Sequence, residues 1–235
     1  VGGSSTPDNV APAEAAAIAA ELGIEVPNFD LNSACSTFGM HINVLSRMQP
    51  ETLPPYILLV VSETLTKTVD YSDRNHAVLF GDASAAAVVS ATIPAPAGFW
   101  NCGFDSRPSA WSKVGVDWAW RFDQDGNAVQ GFAIRKTSES LQLLQDSFKN
   151  DCRGIKFIGH QANLTMLKTV CERRAIAESN HWYNVDQYGN TGCCGAPAVL
   201  SMHWDQVKPG DDIAIVVVGA GLTWTHTMLR VGGEQ

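Results

Sequence analysis

The chain has 235 residues, 45% hydrophobic and 17% charged, the composition of a folded globular protein with no sign of disorder. Sixteen basic residues against 24 acidic ones leave a formal net charge of -8, which argues against nucleic-acid binding because no basic excess can neutralise phosphates. No apolar run approaches the roughly 20 residues that a membrane helix needs, and six cysteines without CxxC pairs fit a reducing, cytoplasmic setting better than a disulfide framework.

The opening Val1-Gly2-Gly3 has no secretory pattern and reads like the end of a strand, as in a fragment. Pro12 and the alanine-rich run to Leu22 predict a helix closed by Gly23, since Pro suits a first turn and Ala has the best propensity. Residues 28–31 are a short strand candidate, and 36–48 a helix with Phe38, Ile42 and Leu45 on one face. The apolar run 56–61 predicts a strand buried on both faces. Residues 77–80 and 85–89 read as two strand arms around a turn or bulge at Gly81-Asp82.

Residues 93–131, rich in Pro, Gly and Trp, read as a long irregular connection of the kind that borders binding sites. Helices are predicted over 132–148, 162–177 and 194–207, with strands at 156–159, 213–219 and 225–231. The second half echoes the first. A strand leads to a small-residue loop at Cys35 and, 22 residues on, to Ile57; another leads to Asn190 and, 23 residues on, to Ile213. Matching units of this kind predict a duplicated α/β fold whose halves each present a helix start.

Three residues sit where a predicted strand gives way to a helix. Cys35, in Asn-Ser-Ala-Cys-Ser-Thr-Phe-Gly, would meet backbone N–H groups and the positive end of a helix dipole, which favours thiolate. Taken alone, such a cysteine is also what a small packing thiol looks like. His160 follows a strand in Gly-His-Gln-Ala-Asn-Leu, a context that His41, His76, His181, His203 and His226 lack. Asn190 lies in Tyr-Gly-Asn-Thr-Gly-Cys-Cys-Gly, where an isolated Asn beside Gly would be an ordinary turn residue.

Phe-Asp-Leu-Asn-Ser-Ala-Cys-Ser-Thr-Phe, Leu-Phe-Gly-Asp-Ala-Ser-Ala-Ala-Ala-Val, Gly-His-Gln-Ala-Asn-Leu, Tyr-Gly-Asn-Thr and Gly-Ala-Gly-Leu-Thr-Trp together resemble the β-ketoacyl-(acyl-carrier-protein) synthase III family of the thiolase superfamily. The resemblance covers essentially the whole chain, with roughly the family's N-terminal quarter absent. It implies a thiolase-like α/β fold of duplicated βαβαβ halves in α-β-α-β-α layers. Residues 1–95 would be an incomplete N-terminal half carrying the Cys, and 96–235 a C-terminal half carrying the His and Asn.

By the same resemblance, Cys35 is the acyl-accepting nucleophile. His160 and Asn190 stabilise the enolate formed when a malonyl thioester loses carbon dioxide. The backbone N–H groups of Cys35 and Ala220 form the oxyanion hole; the family usually has Gly at the latter position. Asn163 matches a pantetheine contact and Arg74 a residue that packs on the adenine of coenzyme A. Thr165 stands where the family often has a carrier-docking Arg, with Arg173 and Arg174 further along. The implied reaction needs no metal or other cofactor, since acyl-CoA and the malonyl thioester are substrates. The implied partners are acyl-CoA, an acyl carrier protein and a second copy in a homodimer, with no nucleic acid and no membrane.

Cys102, Cys152 and Cys171 lack metal-ligand spacing with His, Cys193-Cys194 reads as packing beside the Asn190 loop, and the Trp residues within 100–120 are expected to line or cap an apolar tunnel. A non-decarboxylating acyltransferase of the same fold is one alternative reading. An inactive partner subunit or fragment is another.

Overall fold

The structure is a computed structural model that describes residues 1–74, 76–148 and 154–232. Helix α1 (Glu14–Glu21) buries Ala15 and Ala19, and Gly23 follows it at φ 67°. Its first N–H groups are satisfied from a distance: Asp30 accepts from Glu14 N at 2.6 Å and Ala15 N at 2.9 Å. Helix α2 (Thr37–Leu45) turns Phe38 and Ile42 inward. Strand β1 (Ile57–Thr64) pairs antiparallel with β2 (Asp82–Val89), with Ile57 opposite Val89 and Thr64 opposite Asp82.

The second sheet begins with β3 (Ala97–Ser106), after which the chain forms a small separate hairpin, β4 (Val114–Val116) and β5 (Phe122–Gln124), and the long helix α3 (Gly126–Asp146). Then come β6 (Lys156–Gly159), α4 (Leu164–Arg174), β7 (His181–Trp182), α5 (Val185–Tyr188), α6 (Gly195–Met202), β8 (Asp212–Gly219) and β9 (Thr223–Val231). The strand order is β3-β9-β8-β6-β7, parallel where β6 meets β7 and β8 and antiparallel elsewhere.

Helices α2 and α6 form the middle layer. One side of it packs Phe38 and Ile42 with Leu59 and Val61 of β1. The other packs Ala196, Val199 and Leu200 on Ile158, Ile215 and Val217 of the five-stranded sheet. Helices α3 and α4 cover that sheet's far face through Leu141, Leu144, Leu167 and Val170. Helix α1 lies outside β1, where Glu14 bonds to Ser62. The central strand β8 has Ile213, Ala214 and Val216 fully buried, each branched side chain contributing about 1.5–3 kcal/mol of burial. The far end of that strand, at Gly219, lies against the Cys35 loop.

Several expectations are corrected. Run 56–61 is not buried on both faces: β1 alternates between buried and half-buried, and Tyr56 is 63% exposed outside it. Residues 77–80 are not a strand arm; turns occupy them, and Phe80 makes one bridge, to Asn190. Residues 28–31 supply a single bridge, Gly2 to Asp30. Region 93–131 is far from irregular. It holds β3, whose alternation is broken by a bulge between Trp100 and Gly103 and by Asn101 at φ 48°. Only pairing with β9 makes it a strand.

Candidate active site

The Cys35 loop is built to face the end of β8. Ala34 sits at φ 48°, a left-handed position reached because Asn32 Oδ1 accepts from its N–H at 2.8 Å. Ser36 and Thr37 then donate back to Ser33 and Ala34 at 3.1 and 3.0 Å. Ser36 Oγ lies 2.9 Å from Thr223 Oγ1 across the fold. Gly219 lets the strand end approach: a Cβ there would stand 2.9 Å from Ser33 O and 3.1 Å from Cys35 N. Ala220 therefore follows a residue in contact with the Cys35 loop, and it is not among the positive-φ positions, so alanine is tolerated there without strain.

The thiol is not the ready thiolate that a helix start predicts. Burial pushes Cys35 up to about 12, and the negative charge of Glu63 acts in the same direction. Desolvation of the charged form outweighs the helix end in so apolar a setting.

His160 follows β6 and is 8% exposed. Burial holds it down to about 4, so it is neutral near pH 7 and has one ring N–H to donate. Cys35 packs against the cluster containing Ile158 and Val217, which belong to β6 and the adjoining β8. Asn190 enters from the far side. Its N–H donates to Leu79 O at 2.7 Å, and its carbonyl accepts from Gly81 N at 3.1 Å. Its side-chain Oδ1 accepts from Gly192 N at 2.9 Å, which leaves the Nδ2 donors free to point elsewhere.

Gln161 ties the His160 loop to the start of α5, the helix that leads into the Asn190 loop, a role that sequence reasoning missed. It is fully buried, donates to Gly159 O at 2.8 Å, and accepts from Asn184 N at 2.9 Å and Val185 N at 3.2 Å. A Cβ on Gly195 would stand 2.8 Å from Gln161 Cβ and 3.4 Å from Thr191 Oγ1. The signal was present in His-Gln-Ala-Asn, since a polar residue beside a buried strand needs a built-in partner.

The outer candidates behave differently. Asn163 is exposed and caps α4, its Oδ1 accepting from Met166 N at 3.1 Å. Arg74 is exposed. Arg174 donates to Gln145 Oε1 at 2.6 and 2.9 Å, whereas Thr165 and Arg173 are exposed. Of the Trp residues within 100–120, Trp100 lines a cavity along α2, whereas Trp118 at 92% and Trp111 at 73% exposure lie on the surface and do not line it. Cys152 lies outside the described residues. Among the described residues no three His, Cys, Asp or Glu form a group that could hold a metal, and no helix is long and apolar enough to cross a membrane. A cavity of about 1120 Å³ reaches along α2 from Phe38 past Leu45 to Trp100 and Trp204, and none of Cys35, His160 and Asn190 lines it.

Residues 29–107 match the family model for 3-Oxoacyl-[acyl-carrier-protein (ACP)] synthase III, and residues 155–231 match that for its C-terminal part. The chain is 30% identical to a beta-ketoacyl-(acyl-carrier-protein) synthase III of Sulfurovum sp. (strain NBC37-1), over 95% of this chain and 72% of that protein. A second relative, from Deinococcus radiodurans, is 31% identical over 97% of this chain and 71% of its own length. The crystal structure of 3-oxoacyl-(acyl-carrier-protein) synthase III from Aquifex aeolicus VF5 superposes with a TM-score of 0.91 at 26% identity, covering 97% of this chain and 75% of that one.

Proposed function

The chain belongs to the 3-oxoacyl-(acyl-carrier-protein) synthase III family of thiolase-fold condensing enzymes, and from that premise we propose that it joins an acyl thioester to a malonyl thioester through an acyl group held on Cys35. Two side-chain donors support the reading: His160, buried and neutral, and Asn190, whose Oδ1 is already engaged by Gly192 N. Each has an N–H to donate, and Gln161 ties the His160 loop to the start of the helix that leads into Asn190.

Cys35 attacks the thioester carbonyl and its sulfur gains the acyl group; the proton it loses is balanced by the one gained by the departing coenzyme A sulfur. The amides of Cys35 and Ala220 donate to the oxygen that becomes negative during this exchange. The malonyl thioester then binds with its carbonyl oxygen between His160 and Asn190 Nδ2. Carbon dioxide leaves, the electron pair moves onto the thioester enolate, and the two donors stabilise that charge. Neutrality suits His160 to this task, since it donates a hydrogen bond without giving up a proton. The enolate carbon attacks the acyl carbonyl, and Cys35 leaves as a sulfur anion that its surroundings favour reprotonating.

Arg74 and the free amide of Asn163 would meet the nucleotide and pantetheine ends of a coenzyme A thioester. With Thr165 at the usual docking position, coenzyme A esters are favoured over carrier-bound ones as acyl donors. A homodimer and a division at residues 95/96 belong to the same proposal and rest on the family resemblance, and a cytoplasmic setting rests on the cysteine pattern. The test is intact mass after incubation with acetyl-CoA, which gains an acetyl group in the wild type and none in Cys35→Ser. Cys35→Gln should still release carbon dioxide from malonyl-CoA; its failure to do so would favour a non-decarboxylating acyltransferase.

A further inference from the structure

Glu63 is a carboxylate, 2% exposed, at the end of β1. A buried charge is costly unless paired or hydrogen-bonded. Every partner recorded for it among the described residues is neutral. Ser5 N donates to its two oxygens at 3.1 and 3.2 Å, and Thr6 Oγ1 donates to Oε2 at 2.9 Å. The remaining donor is Cys193 Sγ, 3.2 Å from Oε1 and 130 positions away in the chain. Gly192, at φ 59°, packs so closely that a Cβ there would stand 2.9 Å from Glu63 Cγ. Thr6 Oγ1 in turn accepts from Thr64 N at 2.8 Å, so the side of the carboxylate away from the Asn190 loop is fixed.

These contacts reach one atom of the site. Gly192 N is the donor that occupies Asn190 Oδ1, and this bond decides which way the Asn190 amide faces. We propose that Glu63 is a positioning residue for the condensing reaction: by holding Cys193 and Gly192 it fixes the Asn190 loop so that Nδ2 faces the malonyl carbonyl. The inference rests on the role proposed for Asn190. A thiol is a weak donor, and here it completes a buried carboxylate's set of partners while tying two distant segments together.

Carbon dioxide release from malonyl-CoA in a Cys35→Gln background reads the positioning, and self-acylation by acetyl-CoA with Cys35 present reads the nucleophile. Glu63→Gln keeps the volume but makes one end of the side chain a donor, opposing the Cys193 thiol. The expected result is a fall in carbon dioxide release of about 10- to 100-fold, the scale of a small misplacement at a reacting centre, with self-acylation at least as fast as in the parent. Cys193→Ala should show the same split without touching the carboxylate, which keeps the test open should Glu63→Gln not fold, and Cys193→Ser, by returning a donor, should recover the rate. Carbon dioxide release within about threefold of the parent in both variants would overturn the proposal. So would equal loss of both reactions alongside a lowered Tm, since that is what a structural brace alone would give. Asn190→Ala separates the two levels: if it decarboxylates normally, the role of Asn190 fails and the inference fails with it.

Discussion

Gly219 at the end of β8 and Cys35 before α2 touch through their backbones: a methyl group on Gly219 would stand 3.1 Å from the Cys35 amide nitrogen and 3.0 Å from that of Ser36. The contact joins the two halves of the chain at the candidate oxyanion hole, with no side chain between them. Gly219→Ala is therefore expected to push the Cys35 loop outward. Overpacking of this kind costs about 1–3 kcal/mol, and acylation should fall more than stability does. Parallel measurement of self-acylation rate and urea unfolding checks this; an unchanged acylation rate would mean that the contact does not set the amide position.

The Ser36–Thr223 pair, 2.9 Å apart, holds the same loop from its other side. Thr223→Val keeps the shape and removes the hydroxyl, leaving Ser36 with its bond to Ser33 O at 2.7 Å. The expected loss is about 1 kcal/mol of stability, with a several-fold slower self-acylation. Chemical denaturation and a time course of intact mass read the two effects.

Gln161→Leu strands the buried amide of Asn184 and the partly buried one of Val185, whose acceptor at 2.9 and 3.2 Å is lost. Each unsatisfied group costs about 1–3 kcal/mol. A clear drop in the urea midpoint is expected, with loss of carbon dioxide release from malonyl-CoA as the His160 and Asn190 loops part. Retained decarboxylation in the folded variant would show that the loops are aligned by other means.

The raised Cys35 thiol sets a pH dependence. With a value of about 12, its thiolate fraction increases steadily with pH across the neutral and mildly alkaline range. Alkylation by iodoacetamide should accelerate about tenfold per pH unit from 7 to 10, following Cys35 by mass. A plateau near pH 7 would contradict burial as the dominant influence.

Acid should destabilise the fold through its buried histidines. Burial lowers His41, His160 and His181 from 6.5 to about 4, so between those values the unfolded chain binds more protons than the folded one. The stability from these groups is complete above pH 6.5 and is lost as pH falls towards 4. Urea midpoints at pH 7.5, 6 and 5 should decline in that order.

Much was legible in the residues alone. Periodicity and end signals located α2, α4, β6, β8 and β9 to within a few residues, because each buries a regular stripe or run that water would otherwise meet. Small-residue loops singled out Cys35, His160 and Asn190, and the five motifs carried the family. Of the three, only His160 directly follows a strand: helix α5 precedes Asn190, and a single bridge at Asp30 stands where a strand was expected before Cys35.

What composition could not supply was contact across the chain. Strand β3 is irregular by itself and exists because β9 supplies its hydrogen bonds; residues 77–80 look strand-like but are bent to pin Asn190. The protonation of Cys35 was also misread. A helix start favours thiolate by local geometry, whereas desolvation depends on everything folded around the sulfur, including Glu63, 28 residues further on. Local propensity and pattern are properties of neighbours in sequence. Burial, charge balance and the aim of an amide are decided by neighbours in space, and only the tertiary structure brings those together.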